Sequence, residues 1–152
     1  MRLASIAVVF CLAAQAQDPA ALAESYWKQR RYEDANNSFR IAVANRPKDA
    51  ALKVRWGRLL LERFNPGDAT GLFQEALEMQ KDYPPALLGL ALVAAENFDQ
   101  RALQLSQKAL EKDPDLVEAR ELLANVLLED GSTTAARAEA LKIRSSKNAV
   151  AV

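Results

Sequence analysis

Large and small apolar residues recur along this chain at a distance of 34 residues, with a slip to 33 in each register. Ala23, Gly57, Ala91 and Ala124 form one column, and Leu22, Trp56, Leu90 and Leu123 stand just before it. Ala35, Ala69, Ala102 and Ala136 form a second column, and Ala42, Ala76, Ala109 and Ile143 a third. Eleven of these twelve positions are Ala or Gly, so size at each register is specified rather than random. The slips locate one deletion between Ala91 and Ala102, near Glu96-Asn97-Phe98-Asp99. A period of this length marks stacked supersecondary units.

Each period reads as two antiparallel helices joined by a tight turn. In the second, helices over Ala50–Arg63 and Asp68–Gln80 flank Asn65-Pro66-Gly67, a strong turn signal. Asp68 is placed to cap the later helix, as Ser132 or Thr133 is after Gly131. Small residues at a helix crossing let two backbones approach, and large neighbours fill the groove between ridges. A mid-helix glycine costs roughly 1 kcal/mol relative to alanine, so Gly57 reads as a packing requirement. One hairpin cannot bury its apolar stripe; a stack of hairpins can. The last helix, Thr133–Arg144, carries Ala135, Ala136, Ala138 and Ala140 and few large side chains. It reads as a weak cap, consistent with a homo-oligomer, a continuing array or plain tolerance. A frayed stretch is expected from Ser145 to Val152.

The first copy contains Leu22-Ala23, Tyr26, Tyr32-Glu33-Asp34-Ala35, Phe39, Ala42 and Pro47; the second Trp56-Gly57, Ala69, Phe73 and Ala76. Leu90-Ala91, Ala102, Ala109 and Pro114 follow, then Leu123-Ala124, Gly131 and Ala136. In these residues the chain resembles the tetratricopeptide repeat family. The resemblance implies an all-α fold, a right-handed superhelical solenoid of antiparallel helix pairs. It implies about four repeats (17–49, 50–83, 84–116 and 117–146, with a disordered tail at 147–152), their first helices lining a concave groove. The chain departs from the family where an early Trp is frequent: Lys53, Leu87 and Arg120 stand there.

The segment before the repeats has another character. Arg2, the apolar run Leu3–Ala14 broken by Ser5, and Ala14-Gln15-Ala16 fit the three parts of a secretory signal peptide over residues 1–16. The run is short for a membrane span. Cleavage after Ala16 would leave 19 basic and 20 acidic residues and remove Cys11, the sole cysteine. The product would have no disulfide and no stable membrane span, and would reside in a bacterial periplasm. An inner-membrane signal anchor is the alternative.

Charge balance, 20 basic against 20 acidic residues, argues against nucleic-acid binding through phosphate charge. There is no His. With Cys11 removed, most metal sites and most nucleophile–base pairs are excluded. Glu111, Asp113, Asp115 and Glu118 lie among Lys108, Lys112 and Arg120 without the Gly-punctuated loop calcium requires, so they read as a solvated face. No cofactor is expected, and no enzyme.

What remains is a surface. Glu24 and Trp27, then Val54, Arg58 and Leu61, then Leu88 and Leu92, then Glu121, Asn125 and Leu128 share one face of successive first helices. The resemblance places that face in the groove, where Trp27 and Arg58 are the favoured anchors. Relatives that clamp a chaperone's terminal carboxylate use Lys and Asn at inner positions held here by Glu24, Arg58, Leu92 and Asn125, so that role is not expected. The function this implies is a non-catalytic interaction or scaffold module of the bacterial cell envelope that binds a peptide or partner protein. A regulatory or substrate-docking subunit of an envelope enzyme or assembly machine is the alternative.

Overall fold

The computed structural model describes residues 18–63 and 65–149, so the expected signal peptide and Cys11 lie outside the described residues. The described residues form eight helices and no strand. They are α1 (Pro19–Lys28), α2 (Tyr32–Asn45), α3 (Ala50–Glu62), α4 (Pro66–Met79), α5 (Pro84–Glu96), α6 (Arg101–Lys112), α7 (Val117–Glu129) and α8 (Thr133–Ala149). Each odd helix packs on the even helix that follows it, giving four hairpins. Each even helix then packs on the odd helix of the next hairpin.

Local chemistry sets the boundaries. Asp18 accepts from the Ala20 amide at 3.3 Å and Asp49 from the Leu52 amide at 2.9 Å, each satisfying an orphan donor of a first turn. Asn65, not Asp68, caps α4: Pro66 occupies its first turn, where no amide donor is needed, and the Asp68 amide donates to Asn65 Oδ1 at 3.4 Å. The last helix runs past Arg144 to Ala149, so the frayed stretch expected from Ser145 is helical as far as Ala149.

The column residues lie where the size argument puts them. Ala23, Ala35, Ala42, Ala69, Ala76, Ala91, Ala102 and Ala109 are buried to within 1%. Phe73 of α4 is fully buried between two glycines. A β-carbon on Gly57 of α3 would sit 2.7 Å from its Cε1, and one on Gly89 of α5 only 2.4 Å away. Gly57 is therefore a packing requirement, and Gly89 is a second one that the columns did not reveal. The same register in α2 holds Phe39, also fully buried; in α6 it holds Ser106, fully buried with no hydrogen-bond partner for its hydroxyl.

The departures from the family's frequent Trp are buried or largely so. Lys53 is 6% exposed and pairs with Glu75 across the α3–α4 hairpin. Arg120 pairs with Glu139 at 2.8 Å across the α7–α8 hairpin, with both side chains about 15% exposed. Leu87 between them is 2% exposed. Two of the three positions have exchanged an aromatic wedge for an ion pair that ties an odd helix to its partner.

Odd helices pack on one another across hairpins, α3 on α5 and α5 on α7. No two even helices do so to a comparable extent among the described residues. The odd helices therefore lie on the inner side of the curve and the even helices splay on the outer side.

Candidate functional site

The inner face divides into a polar part and a packed part. At its start α1 and α3 are joined by side chains rather than by close backbones. Arg55 grips Glu24 with two hydrogen bonds of 2.6 Å, Nε to one carboxylate oxygen and a terminal nitrogen to the other. Its guanidinium also lies 4.7 Å from the centroid of the Trp27 ring. The hydrogen bonds that Arg55 donates to Glu24 raise its pKa above its ordinary value, against the opposing pull of burial. Arg55 is thus a fixed cation. Trp27 donates its indole N–H to Glu62 at 2.6 Å, and Tyr32 donates its hydroxyl to the other Glu62 oxygen at 3.3 Å. These groups, with Lys28 and Arg30, line an open cleft of about 460 Å³.

Further along, Arg58 of α3 reaches across to pair with Glu118 at the start of α7. That ion pair bridges residues 60 apart in sequence and passes over α5. Glu24, Arg55, Arg58 and Glu118 thus form a row of charges on three odd helices, two cations flanked by two carboxylates. Beyond it Glu121 and Asn125 are exposed, and Leu128 is 58% exposed.

Three residues expected in the groove belong to the core instead. Val54 is 5% exposed, Leu61 8% and Leu88 3%. Val54 and Leu61 pack with Ala69, Phe73, Ala76 and Ala86, while Leu88 packs with Leu87, Ala109 and Ala119. They share a face with Arg58 in the repeat register, but α5 packs on α3 and the core side chains of the neighbouring helices cover them. Leu92 is half-buried between these two clusters. Trp27 has two roles: it meets Phe39 edge-on, at 6.2 Å between centroids and 78° between planes, and it also lines the cleft. Arg55, Glu62 and Glu118 were not among the expected residues. The signal that would have found them is charge complementarity one repeat away, since Arg55 follows Glu24 by 31 residues and Glu62 follows Trp27 by 35.

The described residues hold no cluster of three or more acidic, His or Cys groups able to hold a metal ion, and no helix long and apolar enough to cross a membrane. The inner face offers an aromatic edge, fixed cations and paired carboxylates in a row, a set of groups suited to holding a chain.

A family profile described as tetratricopeptide repeat matches residues 20–85 and again 86–149. No curated protein matches the chain in sequence. Among solved structures, one titled as the crystal structure of MamA is 18% identical, with a TM-score of 0.73 over 88% of this chain and 78% of its own. MamA (41-end) from Desulfovibrio magneticus RS-1 is 16% identical, with a TM-score of 0.71 over 86% of this chain and 75% of its own. The first TPR of Spaghetti (RPAP3), bound to the HSP90 peptide SRMEEVD, is 16% identical, with a TM-score of 0.66 over 74% of this chain and 90% of its own. At these identities the likeness is one of fold.

Proposed function

The chain belongs to the tetratricopeptide repeat family, and from that premise we propose that it is a non-catalytic interaction module of about four repeats. It binds a peptide or a partner protein on its inner face. The observation that carries this reading is the cleft between α1 and α3, where Trp27, Arg55, Glu24 and Glu62 present aromatic and charged groups, paired with one another, at an open surface. An extended partner segment would lie along the row of charges and exchange its own polar groups for some of the internal pairs. Its energy would concentrate at Trp27, Arg55 and Arg58, because Trp and Arg dominate interface hot spots. That one structural neighbour carries a bound peptide supports a peptide-sized ligand here.

The cell envelope of a bacterium is the proposed location, resting on the signal-peptide pattern of residues 1–16. The test is capture from an envelope extract with tagged wild-type protein and with an Arg55→Ala, Arg58→Ala double variant of matched melting temperature. A partner retained by the wild type and lost by the variant supports the reading. Equal retention by both would remove the inner face from consideration. Mass measurement of the protein recovered from a secreting host separately tests the location: the reading requires a chain beginning at Gln17, and an intact Met1 excludes it.

A further inference from the structure

The outer side carries an apolar hole that the inner-face reading does not use. Between α4 and α6, over α5, lies a pocket of about 480 Å³ floored by Leu90, Val93, Ala94 and Leu105. One repeat earlier the same register of α3 holds Trp56, Leu59, Leu60 and Arg63. Every α5 counterpart is smaller: Leu for Trp, Val for Leu, Ala for Leu, Asn for Arg. There the indole of Trp56 packs on the core and donates to Asn36 at 2.7 Å, and only about 240 Å³ stays open. The second hole is therefore missing the bulk of an aromatic side chain, and its sister site shows that an aromatic fits.

The knob stands beside the hole. Phe98 is 86% exposed in the α5–α6 turn and holds φ at +52°. This is the left-handed turn register that Arg30 occupies in the first hairpin, at φ +60°, and Gly131 in the last, at φ +80°. Glycine is the residue such a backbone favours, and a bulky side chain there is unusual. Glu96, two residues before the ring, is an exposed carboxylate. The hole's rim has the opposite sign: Lys108 and Lys112 converge on the single carboxylate of Asp82, at 2.6 and 3.4 Å, leaving an excess of positive charge. Arg101 on the same rim is paired with Asp99 at 2.6 Å, so the excess of positive charge rests on the lysine pair.

We propose that the occupant of this hole is Phe98 of a second copy of this chain, exchanged reciprocally across a two-fold axis on the outer face. Asn97 and Asp99, the neighbours of Phe98, themselves line the hole. Knob and hole thus share an edge, the self-complementary arrangement an isologous dimer needs. Each ring would fill the space Trp56 fills one repeat earlier, and each Glu96 would face the partner's lysine pair.

Sedimentation equilibrium of the purified chain over a concentration series tests this. The proposal requires a monomer–dimer equilibrium that Phe98→Ser and Leu90→Trp each weaken by about tenfold or more. Leu90→Trp fills the hole from within; Ala94→Leu does so with less bulk and guards against misfolding, and circular dichroism melting checks both. Mixing Phe98→Ser, which keeps only the hole, with Leu90→Trp, which keeps only the knob, should give a heterodimer tighter than either variant forms with itself. A monomer at every concentration overturns the proposal. So does a dimer indifferent to these substitutions, or one lost on Arg55→Ala, which would place the contact on the inner face.

Discussion

At the seam between the first two hairpins, α3 turns Trp56, Leu59, Leu60 and Arg63 outward and Arg55 inward. At the next seam α5 has Leu90, Val93, Ala94 and Asn97 in the outward register, and Gly89 in the register of Arg55. The first seam is filled outside and open inside, with a polar cleft between α1 and α3. The second is closed inside, where Gly57 and Gly89 clasp Phe73, and open outside. One backbone plan thus carries two distributions of volume, and each leaves a vacant face where side chains are small or charged. The clefts of such a repeat arise from size exchanges between registers, which no single motif records.

Removing the plug of the closed seam has the largest expected effect. Phe73→Ala should cost about 3–5 kcal/mol, because the two glycines leave nothing to collapse into the void. Denaturant melting checks this, and a loss below about 1 kcal/mol would show that the clasp is not tight.

The converse change is smaller. Gly89→Ala forces a β-carbon against the Phe73 ring, an overpacking of about 1–3 kcal/mol that exceeds the roughly 1 kcal/mol gained in helix propensity. Gly71, within α4 with open space around its α-carbon, should respond with the opposite sign: Gly71→Ala gains up to roughly 1 kcal/mol. Combining Gly89→Ala with Phe73→Leu should recover part of the loss, since neighbours in contact do not add.

At the third seam the plug's register holds Ser106, whose buried hydroxyl has no partner. Ser106→Ala should stabilise the protein by about 1 kcal/mol, by removing a desolvated group that makes no hydrogen bond. A loss of stability there would mean that the hydroxyl is satisfied.

The last hairpin gives the smallest expected effect and a dependence on pH. Burial pushes the Glu139 carboxyl up, but hydrogen bonds from Lys142 and Arg120 outweigh it and hold the pKa below its ordinary value. A depressed carboxyl pKa contributes stability above the unfolded value, and that contribution is lost as pH falls through the folded one. Acidification should therefore loosen α8 from α7 before the hairpins centred on Phe39 and Phe73 respond. Hydrogen exchange across α8 reads this, and Glu139→Gln should remove the pH dependence at a cost of about 1 kcal/mol.

The alternation of large and small residues exposed the hairpins, their register and the role of Gly57, because core volume is written in side-chain size at a fixed spacing. Gly89 escaped because its register holds Arg55 one repeat earlier, so no column forms. The site was less legible. Helix spacing put Val54, Leu61 and Leu88 on the same face as Arg58, but it does not record how far the next helix approaches. That distance decides which of them a partner can touch. Glu62 and Glu118 were hidden for a related reason: each belongs to the inner face only through a side chain on another helix.

The inner side of the first seam is the proposed working surface. It is tested most directly by measuring affinity for the captured partner and melting temperature together in Arg55→Ala and Arg58→Ala. Both residues are exposed or half-exposed and lie outside the core, so losing their ion pairs should cost no more than about 1 kcal/mol each. The account predicts that affinity falls about tenfold or more in each while melting barely moves. Unchanged affinity in both variants, or a loss that only tracks a fall in melting temperature, would contradict it.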